Sequence, residues 1–208
     1  MASEPQIFLV LAVSFIYAIS IHEASHAFVA DILGDKTARY QGRVTLNPIR
    51  HLDLYGSLML IVLGFGWGKP VPINPINLRG DTRQSMAKIA VAGPAANLLS
   101  AVVFGLLLRA LIADGSEINL AHRLLEALTL INLVLAIFNL LPIPPLDGFT
   151  LLLTFTNSDN AQRLRYYSRQ IMMTFFGIIV LGYVLQQNIL ESLIAPPTGF
   201  IFRKLLGV

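Results

Sequence analysis

A run of 27 mostly apolar residues, from Ile7 to Leu33, constrains the fold of this chain more than any other feature. As a helix it would be about 40 Å long, whereas the hydrocarbon core of a bilayer is about 30 Å thick. Gly34 follows it in a position suited to a helix C-cap. The run therefore predicts a membrane-spanning helix that tilts or projects from the lipid at one end.

The rest of the chain is also too apolar for one water-soluble core. Of 208 residues, 55% are hydrophobic and 13% charged, whereas soluble domains carry about 25% charged residues. Three more apolar runs cover Ala87–Ile112, Leu124–Leu141 and Ile171–Ile194. Leu58–Phe65 is short and flanked by glycine, which favours a re-entrant or interfacial segment. We expect an all-α membrane protein, a polytopic bundle of about four to six transmembrane helices.

Less regular structure is expected between the first two long helices. Residues 37–47 alternate loosely between polar and apolar, which predicts a short strand or β-hairpin. Residues 69–78 contain three prolines and should be extended. We expect a single membrane-embedded domain over residues 1–208. Its core would cover about 7–155, with an additional transmembrane helix over about 171–194.

The basic residues predict the orientation in the membrane. Residues 35–88 hold eight of the fifteen lysines and arginines, and the loop 157–169 adds three. The positive-inside tendency makes this side cytoplasmic, in a multi-pass protein of the cell membrane. A net charge of +3 does not suggest nucleic acid as a partner. The lipid bilayer is the first partner expected.

The motif His22-Glu23-Ala24-Ser25-His26 lies in the first predicted helix. Residues four apart face the same side of a helix, so both imidazoles can converge on one ion. Glu23 is placed to take a proton from a water beside that ion. A pair of core histidines fits poorly, because three ionisable residues within five positions of a membrane helix are costly and usually functional. The chain has no cysteine, so any metal must be held by nitrogen and oxygen.

A zinc site needs a third protein ligand and an open position. His51, His122 and several carboxylates are available. Asp147 stands out because it follows a helix broken by prolines, and irregular backbone at membrane depth lines a cavity or is buried in protein. From the chemistry of the residues alone, Asp147 could also be an ordinary loop aspartate at the membrane surface, and this alternative stays open. His51 is a candidate for a supporting or gating group, although a surface histidine is the more frequent case.

Three motifs in this order resemble the site-2 protease family of intramembrane metalloproteases, in its short prokaryotic members without PDZ or CBS domains. They are His22-Glu23-Ala24-Ser25-His26, Gly93-Pro94-Ala95-Ala96-Asn97 and Asn139-Leu-Leu-Pro-Ile-Pro-Pro-Leu-Asp147-Gly148. The resemblance covers about residues 15–155. It implies one Zn²⁺ per chain, held by His22, His26 and Asp147.

The resemblance also implies catalytic roles. Glu23 would be the general base, and Asn139 would help to stabilise an oxyanion. An interhelical hydrogen bond is an equally weighted alternative for Asn139. Gly93 and Asn97 fit a close helix contact beside the site, with Asn97 as a polar tie.

The expected function is hydrolysis of peptide bonds in transmembrane protein substrates, with the active site toward the cytoplasmic side. The competing interpretation is a membrane metal transporter or metal-binding protein that uses the same histidines. Whether the chain forms a homo-oligomer stays open.

Overall fold

A computed structural model of the chain describes residues 5–56, 58, 66–114 and 119–207. Helices dominate the described residues, and a single isolated bridge is the only β-type pairing among them. The α-helices are α1 (Pro5–Ile32), α2 (Thr37–Tyr40), α3 (Thr82–Ala113), α4 (Leu120–Asn139), α5 (Asp147–Phe155), α6 (Ser158–Tyr166), α7 (Ser168–Val184) and α8 (Ile189–Leu206). Pro48–Arg50 and Pro75–Asn77 are 3₁₀ helices.

Three of the described helices, α1, α3 and α4, are long and apolar enough to cross a membrane. They pack against one another, with α8 against α3 and α4. Their outer faces expose large apolar side chains such as Leu9, Phe28 and Leu99. Their inner faces bury small residues such as Ala27 and Ala101, which let helices approach closely. The predicted class, an all-α membrane protein, is confirmed.

The hairpin predicted for residues 37–47 is wrong. Thr37–Tyr40 is a helical turn, because the Asp35 carboxylate accepts hydrogen bonds from the Thr37 N–H at 3.0 Å and from its hydroxyl at 2.5 Å. Gly42 then reverses the chain at a φ of 65°. Side-chain bonds to the local backbone thus outweigh a weak alternating pattern. The predicted re-entrant segment lies, apart from Leu58, outside the described residues.

The single span predicted over 171–194 is also wrong. The chain forms α7 and then α8, separated by a break at Leu185–Asn188. Gln186 adopts a left-handed φ of 58°, and the Gln187 N–H donates to the Gly182 carbonyl at 2.7 Å. Of the residues at the break, Asn188 disfavours a continuous helix, because its side chain competes for hydrogen bonds with the nearby backbone. α7 is a shorter apolar helix that contacts α6 and α8.

The proline-rich segment 69–78, which we call the extended segment, has no helix over residues 69–74, and its backbone is extended at Asn74. Pro75–Asn77 is a 3₁₀ turn, so the prediction of a non-helical backbone is wrong for these three residues. The extended segment lies against α1: a Cβ on Gly68 would be 2.6 Å from Ile19 Cγ2. Asp35 holds its far end, accepting from the Asn74 N–H at 2.6 Å and from Asn77 Nδ2 at 3.1 Å. The segment therefore has a defined position beside the histidine-bearing half of α1.

Candidate metal centre

The two motif histidines are buried in the bundle, one turn apart on α1. His22 Nε2 and His26 Nε2 lie 3.0 Å apart. Each ring is fixed through its other nitrogen. His22 Nδ1 is 2.7 Å from Asn97 Oδ1, and His26 Nδ1 is 2.7 Å from the Ile89 carbonyl oxygen.

These contacts determine which nitrogen carries the proton. A carbonyl oxygen only accepts, so His26 Nδ1 must be the donor. Asn97 Nδ2 donates to the Ala18 carbonyl at 2.9 Å and to Asn132 Oδ1 at 2.8 Å, which leaves Asn97 Oδ1 to accept from His22. When both rings are neutral, both Nε2 atoms carry lone pairs and face each other.

Asp147 supplies a third acceptor from the first residue of α5. Its Oδ2 lies 3.1 Å from His22 Nε2 and 3.2 Å from His26 Nε2. That oxygen is buried and has no hydrogen-bond donor within the described part of the chain. Three acceptors without a proton between them repel one another unless a cation joins them. The distances between these three atoms are close to the ligand-to-ligand distance of about 3.3 Å in a tetrahedral zinc site, where the zinc–ligand bonds are about 2.0–2.1 Å long. The three residues fit a zinc ion.

Gly93 on α3 closes one side of this cluster. A Cβ at that position would lie 2.4 Å from His26 Nε2 and 2.6 Å from His22 Cε1. Only a residue without a side chain lets the helix backbone approach the imidazoles this closely. The close helix contact and the polar tie expected of Gly93 and Asn97 are therefore both found.

Glu23 stands beside the cluster without joining it. Its Oε2 accepts a hydrogen bond from the Val71 N–H at 3.1 Å. Gly68 is its other close neighbour: a Cβ there would be 3.5 Å from Glu23 Oε1. One oxygen of the carboxylate, Oε2, is thus held by the extended segment, and the other, Oε1, lies beside Gly68.

The cluster and Glu23 line one large cavity of about 1630 Å³. α1, α4 and α8 form most of its apolar wall, and the extended segment contributes Val71 and Ile73. Asn139 also lines the cavity, and its Nδ2 donates to the Leu135 carbonyl of its own helix at 3.0 Å. This bond uses one of the two amide hydrogens of Asn139.

The interpretation of His51 as a surface residue is wrong. Its side chain is fully buried, and Nε2 donates to the Thr45 carbonyl at 2.7 Å because the chain from 45 to 51 folds back on it. His51 and His122 lie outside the metal cluster. His122 instead takes part in the N-terminal cap of α4, with Asn119.

Two functional neighbours were missed from the sequence. Asn132 is a fully buried amide that binds Asn97. Its position in the middle of an apolar run was a usable signal. Arg43 is a buried arginine whose guanidinium binds the extended segment. No local pattern marked Arg43, since its partners lie far along the chain.

Helices long and apolar enough to span a membrane, a His–His–Asp cluster and an adjacent glutamate are together the features of a membrane metallopeptidase. The model of Peptidase family M50 matches residues 109–182, which include Asn139 and Asp147. "Putative zinc metalloprotease YwhC" of Bacillus subtilis is 40% identical over 147 residues, covering 68% of this chain and 67% of that protein. "Putative zinc metalloprotease Rip2" of Mycolicibacterium smegmatis is 30% identical over 162 residues, covering 76% of this chain and 61% of that protein.

The chain belongs to peptidase family M50, the site-2 protease family that its motifs indicated. No solved structure matches it significantly.

Proposed function

We propose that this zinc metalloprotease hydrolyses peptide bonds within or near the transmembrane segments of other membrane proteins. One observation carries the proposal: His22, His26 and Asp147 converge inside a helical bundle, with Glu23 beside them, on a large apolar cavity. A soluble substrate would gain little from an apolar cavity walled by lipid-crossing helices.

His22, His26 and Asp147 would hold the zinc, each through the one atom that faces the other two. Zinc, when bound, polarises the scissile carbonyl and lowers the pKa of a water to about 7. Asn97 and the Ile89 carbonyl keep the imidazoles in the tautomer that presents Nε2.

Glu23 would move the proton. Its free oxygen accepts a proton from water as the water oxygen bonds to the carbonyl carbon. The same carboxyl then gives that proton to the amide nitrogen as the C–N bond breaks. Asn139 lines the same cavity, and its second amide hydrogen would stabilise the negative charge on the carbonyl oxygen.

A substrate helix must unwind before a peptide bond becomes accessible. The extended segment is the described element best suited to hold it, because Val71 and Ile73 line the cavity. An unwound substrate would lie alongside as an added strand, using main-chain hydrogen bonds. Arg43 and Asp35 hold the two ends of this segment in place beforehand.

The site would lie toward the cytoplasmic face of the cell membrane. His26 is seven residues from Leu33, or about 10 Å along the helix. Lys36, Arg39 and Arg43 follow directly after this end, and the positive-inside tendency places such a cluster in the cytoplasm. Cleavage is therefore expected near the cytoplasmic end of the substrate helix.

The test compares wild type with Glu23→Gln in zinc content and in cleavage of a model transmembrane substrate. We expect a loss of at least about 10²-fold in cleavage, with zinc still bound, because Glu23 is not a ligand. Cleavage at the wild-type rate by Glu23→Gln would refute its role as base. A wild type that binds zinc and moves it across a vesicle membrane without cleaving would favour the transporter instead.

A further inference from the structure

Arg43 is the buried charged residue that the catalytic scheme leaves unused. Its exposed fraction is 3%, although it lies in the connection between α2 and the first 3₁₀ helix. Nη2 donates to the Lys69 carbonyl at 2.5 Å and Nη1 to the Pro70 carbonyl at 3.2 Å. Its Nε has no hydrogen-bond partner in residues 5–56, 58, 66–114 and 119–207. Burying a guanidinium this way is costly, so its contacts with these two carbonyls need an explanation.

The peptide group between Pro70 and Val71 connects Arg43 to Glu23. Its carbonyl oxygen accepts from Arg43, and its N–H, that of Val71, donates to Glu23 Oε2 at 3.1 Å. A peptide group is planar, so holding the carbonyl direction also fixes the direction of the N–H. Hydrogen bonds at both ends of one peptide group polarise it and strengthen each other.

Neighbouring bonds hold the segment but do not orient this peptide group. The Lys69 N–H donates to the His51 carbonyl at 2.7 Å, and Leu52 and Gly68 form the isolated bridge. Both contacts precede Pro70. The charges of Arg43 and Glu23 also attract each other.

We propose that Arg43 is a positioning residue for the catalytic base. Through the Pro70–Val71 peptide group it holds Glu23 Oε2 on the Val71 N–H, which leaves Oε1 free to take the proton. This inference rests on the proposed function, because it assigns Arg43 to the step that Glu23 performs. A misplacement of a catalytic group by about 1 Å can lower the rate about 10²-fold.

The experiment uses the full chain, loaded with zinc, with Arg43→Gln, Arg43→Lys and the control Arg39→Gln. Arg39 is four residues away and half exposed, and it binds Asp31 through Nε at 2.6 Å. We expect Arg43→Gln to lower kcat roughly 10–100-fold, with zinc content unchanged. The change in kcat should exceed the change in KM, which rises because Arg43 also holds one end of the segment proposed to bind substrate. A lysine at position 43 keeps a charged donor but lacks the planar guanidinium that binds two carbonyls at once. Arg43→Lys should therefore lose less kcat than Arg43→Gln. Arg39→Gln should match wild type.

A second readout is independent of activity. Hydrogen exchange is measured on a proteolytic peptide covering residues 69–74, in which Pro70 and Pro72 contribute no amide. Exchange should be faster in Arg43→Gln, because Arg43 no longer holds the Pro70 carbonyl and the Val71 N–H is then less well aligned with Glu23 Oε2. It should be unchanged in Arg39→Gln.

The outcomes separate this inference from the proposed function. Failure of the wild type to cleave, or cleavage by Glu23→Gln, overturns the proposed function. If Glu23→Gln is inactive while Arg43→Gln keeps wild-type kcat or changes only KM, the positioning role alone is refuted. If Arg43→Gln fails to fold, Arg43→Lys decides by the same criterion. If both Arg43 variants lose zinc, Arg43 supports the fold of the metal centre as a whole, and its role in positioning Glu23 is refuted.

Discussion

Replacing Gly93 with alanine adds a single methyl group where the structure leaves no room for it. The added Cβ would lie 2.4 Å from His26 Nε2 and 2.6 Å from His22 Cε1. Carbon atoms in favourable contact are about 3.5–4.0 Å apart, so either α3 or the rings must move by about 1 Å. The rings cannot turn away freely, because Asn97 and the Ile89 carbonyl hold their Nδ1 atoms.

A shift of this size should weaken zinc binding and activity. Loss of the groups that orient metal ligands typically lowers metal affinity or activity 10–100-fold, and we expect about this loss for Gly93→Ala. The assay is zinc content after dialysis against a graded chelator, together with cleavage of a model transmembrane substrate. Helix propensity alone predicts that Gly93→Ala stabilises α3 by about 1 kcal/mol. The clash with the two imidazoles acts in the opposite direction, so a loss of zinc cannot come from a weaker helix.

Gly177→Ala is the matched control, since a Cβ at Gly177 on α7 meets nothing within 4 Å. It should keep wild-type zinc content and activity. If Gly93→Ala also kept full zinc content and activity, the close approach of α3 to the histidines would be refuted.

The remaining predictions concern the support of the metal centre and the effect of pH. Asn97→Leu removes the acceptor for His22 Nδ1, so zinc affinity measured by chelator competition should fall about 10–100-fold; unchanged affinity would contradict the tautomer assignment. Burial raises the pKa of the Asp35 carboxyl, but hydrogen bonds from Thr37, Asn74 and Asn77 outweigh it and leave the pKa below its usual range. Its contribution to stability is therefore present above the unfolded-state pKa of about 3.9 and lost as pH falls through the folded-state pKa. Asp35→Asn should have a lower Tm at neutral pH and a smaller loss of Tm below about pH 4; parallel curves for both proteins would contradict this.

Local patterns in the sequence predicted those elements whose structure depends on residues close together in the chain. The run from Ile7 to Leu33 corresponds to α1, and the i, i+4 spacing brings His22 and His26 together because a helix repeats every 3.6 residues. The end of α4 at Asn139 also agrees, since prolines follow closely. The hairpin over residues 37–47 failed because a buried carboxylate, Asp35, accepts hydrogen bonds from Thr37 at the start of a helical turn. The continuous span over 171–194 failed because Gln186 turns left-handed.

By itself, then, the sequence determined the membrane class, the long helices and the pair of histidines, all of which follow from hydrophobicity and helical periodicity. On the residues alone Asp147 was one of several candidate carboxylates, and the family resemblance identified it as the third ligand. The tertiary structure shows that it meets His22, because packing and not spacing brings the two together. The same holds for the tautomers set by Asn97 and for the bond from Val71 to Glu23. Each of these contacts joins residues far apart in the chain, and their distance depends on how the helices pack, which no local pattern records.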